Sequence, residues 1–402
     1  MGGSEVNARH KILCIVGARP NFMKIAPIMR AFATRSEAFD ARLVHTGQHY
    51  DVAMNQRFFE QLSIPNPDIS LDVGSGSHAV QTAEIMRRFE PVLDAEAPDA
   101  ILVVGDVNSS IACALVAAKK GVKVIHVEAG LRSRDRSMPE EINRILTDQL
   151  SDRLYVTERE AIDNLAAEGI DREKIAFVGN VMIDTLVASL SHAIPAGVTL
   201  AQLKGYQKSS TGYALLTLHR PSNVDDAVVL GGLIDVLAEV SAHVPIVFPV
   251  HPRTRDRIQR AGLTSRISGS NIHPLPPQGY MEMLGLMRDA TIILTDSGGI
   301  QEESTALGVP CLTIRENTER PITIEEGTNQ LVGTNPAMIK AAVVAVLGGK
   351  GKAGRCPEGW DGAAAQRVVC DLEMWVPKLA SSVGLRSLNE PPQITNLSRV
   401  RV

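Results

Sequence analysis

One turn in this sequence is suited to holding an anion. Residues 290–304 read Ala-Thr-Ile-Ile-Leu-Thr-Asp-Ser-Gly-Gly-Ile-Gln-Glu-Glu-Ser. Ile292–Leu294 is a short apolar run of the kind that forms a buried parallel strand, and Ile300–Leu307 reads as a helix. A strand that enters a helix through Ser297, Gly298 and Gly299 leaves backbone N–H groups unpaired at the helix start. The helix dipole favours negative charge at the same place, so phosphate suits it. Glu302 and Glu303 are expected in the first turn, near enough to accept from a sugar hydroxyl. The same stretch also reads as an ordinary strand–turn–helix capped by Asp296 or Ser297.

Other polar residues stand at the ends of apolar runs. Lys11–Val16 reads as a strand, and Pro20 is placed to open the helix after it. Arg19 and Lys24 then lie at the strand's carboxyl end and on the first turns of the helix. Two cations there oppose the helix dipole; an anionic ligand accounts for them, and so does plain solvation. Ala100–Gly105 delivers Asp106, and Val122–Val127 delivers Glu128. Asp106 alone also fits a helix cap. Pro139, Glu140 and Glu141 fit the first turn of a helix, after a loop holding Arg132, Arg134 and Arg136. Later, Tyr213–Leu218 delivers His219 and Pro245–Val250 delivers His251. Carboxylates and histidines placed this way can move protons.

The elements that carry these residues alternate as parallel α/β units do. In such sheets ligands bind outside the carboxyl ends of the strands, so the residues above should face shared crevices. Strands expected at 11–16, 41–46, 100–105, 122–127, 153–157 and 175–178 complete one doubly wound domain over residues 10–186. The pattern lapses over 187–211, which reads as a linker. It restarts over 212–362, with strands expected at 213–218, 245–250, 271–275, 292–294 and 309–314. A polar loop follows at 316–329, then a helix at 336–347 and a glycine-rich stretch at 348–362 expected to be mobile. Residues 363–385 read as a terminal helix with the first domain as a surface to pack on, and 386–402 as a disordered tail. The fold class is therefore α/β, with two doubly wound Rossmann-like domains and a central cleft.

Composition narrows the function. The chain has 402 residues, is 44% hydrophobic and 21% charged, and carries a net charge of −4. There is no basic footprint for nucleic acid, and 4% aromatic content disfavours base-stacking platforms. No run reaches transmembrane length, and no apolar leader opens the chain. The five cysteines form no CxxC and no disulfide framework. These features point to the cytoplasm. His and Cys never fall at zinc spacing, and the absence of GxGxxG argues against a nicotinamide or flavin cofactor.

Taken together, the segments resemble the non-hydrolysing UDP-N-acetylglucosamine 2-epimerases. The first half carries Gly17-Ala-Arg-Pro-Asn-Phe-Met-Lys24, Thr46-Gly-Gln-His49, Gly105-Asp106, His126-Val-Glu-Ala-Gly-Leu-Arg132, Pro139-Glu-Glu-Ile-Asn-Arg144 and Gly179-Asn180. The second carries His219-Arg220, Pro249-Val-His-Pro252, Thr295-Asp-Ser-Gly-Gly-Ile-Gln-Glu-Glu303, Thr318-Glu-Arg-Pro321 and Glu326-Gly-Thr328. The resemblance implies a fold like the GT-B glycosyltransferases with substrate between the domains. It implies reversible inversion at C2 of UDP-GlcNAc to UDP-ManNAc, through loss and re-addition of UDP at a 2-acetamidoglucal, with no cofactor and usually as a homodimer. Asp106, Glu128 and Glu140 resemble the acid/base carboxylates, and Lys24 and His219 resemble catalytic residues. Arg19, His219, Ser297, Gly298 and Gly299 resemble the diphosphate site, and Glu303 the ribose ligand. His251, Gln278, Gly279 and Tyr280 border the implied uracil pocket. Gln48 and His49 match an allosteric substrate site.

The chain departs from the family at three places. Pro221-Ser222-Asn223 follows His219-Arg220 where many members have Arg-Glu, Glu84 or its neighbourhood replaces an arginine of the allosteric site while Gln48 and His49 remain, and residues 321–326 differ from the common form. A modified sugar, with a 3-acetamido or uronic-acid group, is thus an alternative substrate. A hydrolysing epimerase, a UDP-sugar glycosyltransferase and a catalytically silent sensor are the other readings.

Overall fold

The computed structural model describes residues 9–47, 59–203, 205–207 and 209–386. Two fully parallel sheets organise them. The first has seven strands: β1 (His10–Val16), β2 (Phe39–His45), β3 (Ile69–Ser70), β4 (Ala100–Val104), β5 (Lys123–Ala129), β6 (Arg153–Val156) and β7 (Ile175–Phe177), in the order β3-β2-β1-β4-β5-β6-β7. The second has six: β8 (Ala214–Thr217), β9 (Ile246–Pro249), β10 (Ile272–Leu275), β11 (Ile292–Thr295), β12 (Cys311–Thr313) and β13 (Asn329–Leu331), in the order β10-β9-β8-β11-β12-β13. Both orders reverse direction once, at β1/β4 and at β8/β11. Crevices form at these switch points, because the crossovers leave the sheet in opposite directions there.

Strand burial explains the apolar runs. Every residue of β4 and β11 is buried, as strands covered by helices on both faces must be. Two strands were not expected from sequence, Ile69–Ser70 and Asn329–Leu331. Both are edge strands of two or three residues, too short to show periodicity.

Six helices position the site. They are α1 (Arg19–Ala33), α2 (Asn108–Lys119), α3 (Pro139–Leu150), α4 (Val181–Ser189), α5 (Gly298–Leu307) and α6 (Ala364–Arg386). Pro20 and Pro139 sit at the starts of α1 and α3, where a missing N–H costs nothing. The last helix returns to the first sheet. Ala364, Ala365, Val368, Val369, Leu372 and Val376 are buried in one core with Ile25 and Ile28 of α1. Each large side chain among them contributes about 1.5–3 kcal/mol by burial. Asp371 fixes the register of α6, accepting from Arg153 at 2.6 and 2.8 Å and from the Tyr155 hydroxyl at 2.7 Å. The glycine-rich stretch is packed rather than free: Trp360 is buried and its Nε1 donates to Thr157 O at 3.2 Å. Residues 187–211 include a short helix, Ala196–Leu200, and Ile194 N donates to Met281 O at 3.0 Å. Residues 387–402 lie outside the described chain. Among the described residues no helix is long and apolar enough to cross a membrane.

Candidate active site between the two sheets

Asp106 follows β4 and accepts from Arg144 Nη2 on α3. Arg144 also lies 3.2 Å from Glu141, whose carboxylate takes the backbone N–H groups of Ser133 and Arg134, both at 2.9 Å. Asn143 donates to Asp106 O at 2.9 Å and to Asn108 Oδ1 at 3.1 Å. The α3 face with Asn143 and Arg144 thus grips the end of β4.

Glu128 stands near the end of β5 with φ +71. The β5–β6 register shifts between Val127 and Ala129, so Glu128 is a bulged residue. A non-glycine residue held there costs about 1–3 kcal/mol, and such strain gathers where a side chain must be aimed. Lys24 from α1 is buried beside it, with Nζ 2.7 Å from Oε1 and 2.6 Å from Oε2. Gly105 (φ +63) leaves room for this pair, since a Cβ there would lie 2.7 Å from Lys24 Nζ.

The second half meets the first through Arg320. Its Nη2 donates to Glu128 Oε1 at 2.8 Å and its Nε to Glu302 Oε1 at 2.8 Å. Glu302, on α5, also accepts from Asn180 Nδ2 at 2.8 Å. Asn180 caps α4 with its other side-chain atom, accepting from Met182 N at 2.9 Å. One amide therefore starts a helix in one half and holds a carboxylate of the other.

Ser297 begins α5 with no side-chain cap, so the N-terminal amides of that helix are unclaimed by a capping side chain. Gly298 permits close approach: a Cβ there would lie 2.5 Å from Glu319 Oε1. Arg315 and Arg220 hold Glu319 at 2.8 and 3.3 Å. Asp296 does not cap the helix either. It accepts from the backbone N–H groups of His219 and Arg220, both at 2.9 Å, and lies 3.0 Å from His219 Nδ1. It thereby binds the end of β8 to the end of β11. The rings of His219 and His251 are 6.3 Å apart.

The charges are uneven. Burial pushes the Asp106 carboxyl up, but Arg144, Lys24 and Arg320 outweigh it and hold it below the usual carboxylate value. Asp296 is likewise held low against burial, by His219 and by backbone N–H groups, and Glu319 by Arg320, Arg315 and Arg220. Burial raises Glu302 despite Arg320, with the Glu128 charge adding to the rise. Burial lifts Glu303 to about 7. The site therefore holds carboxyl groups of opposite tendency, which acid/base chemistry requires.

Lys24, Asp106 and Glu128 come together at the β1/β4 switch point. Glu140 is half-buried on the first turn of α3, and its neighbour Glu141 enters the Arg144 network instead. His219, Ser297, Gly298 and Gly299 gather at the β8/β11 switch point. The placement of Glu302 and Glu303 needs correction. The helix starts at Gly298, so both fall in its second turn and are buried. Glu303 accepts from the Tyr280 hydroxyl at 2.9 Å. His251 caps the helix Pro252–Arg260, and Gln278 donates to Pro276 O at 2.7 Å. Arg19 opens α1; its side chain, and both Gln48 and His49, lie outside the described residues.

Arg320, Arg144 and Asn180 carry much of the geometry, yet sequence reading gave them no role. A signal existed for Arg320. Its loop follows β12, so it belongs to the same row of strand ends as His219 and Ser297.

The sequence model of a family described as UDP-N-acetylglucosamine 2-epimerase matches residues 32–373. A protein of Methanococcus maripaludis named UDP-N-acetylglucosamine 2-epimerase is 42% identical, over 84% of this chain and 92% of its own. A UDP-2,3-diacetamido-2,3-dideoxy-D-glucuronate 2-epimerase of Pseudomonas aeruginosa is 43% identical over the same shares. The crystal structure of the Methanocaldococcus jannaschii UDP-GlcNAc 2-epimerase, in complex with UDP-GlcNAc and UDP, superposes with a TM-score of 0.83 at 41% identity, covering 90% of this chain and 99% of that one. The fold is that of a two-domain, Rossmann-like protein of GT-B type. By sequence and by fold, the chain belongs to the UDP-N-acetylglucosamine 2-epimerase family.

Proposed function

We propose that the protein inverts C2 of UDP-N-acetylglucosamine reversibly, giving UDP-N-acetylmannosamine. The observation that carries this is the buried contact of Lys24, Glu128, Arg320 and Glu302 between the two halves, beside Asp106. A base takes the C2 proton, the C2–H electron pair forms the C1=C2 bond, and the C1–O bond breaks to release UDP. In the return, a UDP oxygen attacks C1 while an acid protonates C2 from the other face. Two opposed proton-transfer groups are needed. Asp106, Glu128 and Glu140 are assigned to them.

The remaining roles follow the resemblance. Lys24 pairs with Glu128 in a buried place and fixes the direction of its carboxyl group. Arg19, His219 and the turn Ser297, Gly298 and Gly299 receive the diphosphate, where fixed cations and N–H groups stabilise the charge on the leaving group. Glu303 takes the ribose, and His251, Gln278 and Tyr280 flank the uracil. Gln48 and His49 contribute to a second substrate site. The proposal includes a linker at 187–211, a homodimer and a cytoplasmic location; sedimentation analysis checks the dimer.

Proton NMR of the enzyme with UDP-GlcNAc in D2O, with nothing else added, tests the reaction. A UDP-ManNAc anomeric signal and deuterium at C2 are expected. Free ManNAc with UDP would mean a hydrolysing enzyme. An unchanged spectrum would overturn this substrate. The second reading is a 3-acetamido uronic-acid sugar nucleotide, favoured by the equal similarity to the Pseudomonas aeruginosa protein; the same experiment with that sugar nucleotide tests it.

A further inference from the structure

Glu158 is a further acidic group of this site that the reaction scheme leaves unused. It lies two residues beyond Val156, which is in register with Ala129 of β5 and with Phe177 of β7. Four adjacent strands therefore present Asp106, Glu128, Glu158 and Asn180 in a row at their carboxyl ends. Glu158 is 2% exposed, and its Oε2 is buried without a hydrogen bond among the described residues.

Counting charge locates a proton. Glu128, Glu158 and Glu302 are three buried carboxyls, and among the described residues their ion pairs are to Lys24 and Arg320. Glu128 takes both cations, and Glu302 takes Arg320 together with the Asn180 amide. Glu158 makes no ion pair among the described residues. Three ionised carboxylates would leave an uncompensated buried charge, which proteins avoid by binding a proton. The geometry gives that proton to the carboxyl with no cation.

We propose that Glu158 is a positioning residue, held as an uncharged carboxyl so that Arg320 stays bridged between Glu128 and Glu302. Ionised, it would compete for the guanidinium and draw Arg320 off the bridge. The groups acting on it agree with this state. Burial is the largest, Arg320 opposes it, and Glu302 from α5, Glu160 on its own helix and Glu128 from β5 add to the rise, to about 8. This inference rests on the epimerase reading for its kinetic test but not for its spectroscopic one.

The kinetic test follows C2 deuterium exchange of UDP-GlcNAc against pH. The wild type should lose activity above about pH 8, roughly tenfold per unit once Glu158 ionises. Glu158→Ala should be slowed about tenfold or more, and Glu158→Gln, neutral at every pH, should recover most of that loss with its alkaline fall shifted upward by about one unit. A Glu158→Ala enzyme as fast as wild type, or a Glu158→Gln profile that superimposes on the wild type, would overturn the proposal. Infrared spectra need neither turnover nor substrate. The wild-type minus Glu158→Gln difference spectrum at neutral pH should show a carboxylic-acid C=O stretch, beyond any acid signal that Glu302 and Glu303 give in both proteins, and it should be gone by pH 10; a difference spectrum with a carboxylate band and no acid band would sink the idea even if the enzyme were active. An inactive wild type with the acid band present would instead overturn the substrate reading alone.

Discussion

Asp106 and Glu303 are both buried carboxyls, and their partners drive them apart. Asp106 faces Arg144 with Lys24 and Arg320 nearby and is held low despite burial, whereas burial lifts Glu303, which accepts from the Tyr280 hydroxyl and makes no ion pair among the described residues, to about 7. Asp106→Asn and Glu128→Gln should each slow C2 exchange by about 10²–10⁴-fold, measured by NMR on folded protein. A silent sensor would keep its binding and show no such loss. Arg320→Lys keeps the charge but cannot bridge two carboxylates from one planar fork. Arg320→Ala leaves Glu128 and Glu302 short of a partner in a buried place. It should cost about 3–5 kcal/mol in urea unfolding, with Arg320→Lys between it and wild type.

Elements deliver these residues through caps and bulges. Asp184 of α4 caps the terminal helix, accepting from Ala364 N at 3.1 Å and Ala365 N at 2.7 Å. Asp184→Ala should cost about 1–2 kcal/mol and raise hydrogen exchange in α6 before the rest of the chain. Proline at helix starts and glycine at turns made α1, α3 and α5 legible in the sequence. The strands Ile69–Ser70 and Asn329–Leu331 were not legible. Two or three residues carry no period, and such strands exist only because a neighbour offers free N–H and C=O groups.

At the scale of the molecule, buried titrating groups set the pH range of stability. Asp106, Asp296 and Glu319 have folded pKa values below ordinary ones, so they add stability above the usual carboxylate range and lose it as pH falls. Burial lifts Asp184 to about 6, Glu303 to about 7 and Glu158 to about 8. In the folded chain these three bind protons that the unfolded chain has released, so stability falls as pH rises from the ordinary carboxylate range through those values. Urea midpoints measured from pH 4 to 9 should therefore peak at roughly pH 5 and decline toward pH 8. Ending the chain at residue 362 should remove α6 from the first core. The apolar faces of Ile25 and Ile28 would then be exposed, and soluble expression should fall.

The sequence alone determined the alternation of strands and helices, and with it the residues standing at strand ends: Asp106, Glu128, His219 and Ser297. Those features are local, set by apolar runs of strand length, by glycine and proline punctuation, and by the rule that parallel sheets bind at their carboxyl ends. Only the tertiary structure decided the partners. Arg320 reaches Glu128 across 192 residues of chain, and Asn180 reaches Glu302 across 122. Nothing local specifies either meeting. Both depend on how two independently wound sheets face each other, and it is there that Glu128 gains Lys24 and Arg320 as partners while Glu158, one strand away, makes no ion pair among the described residues.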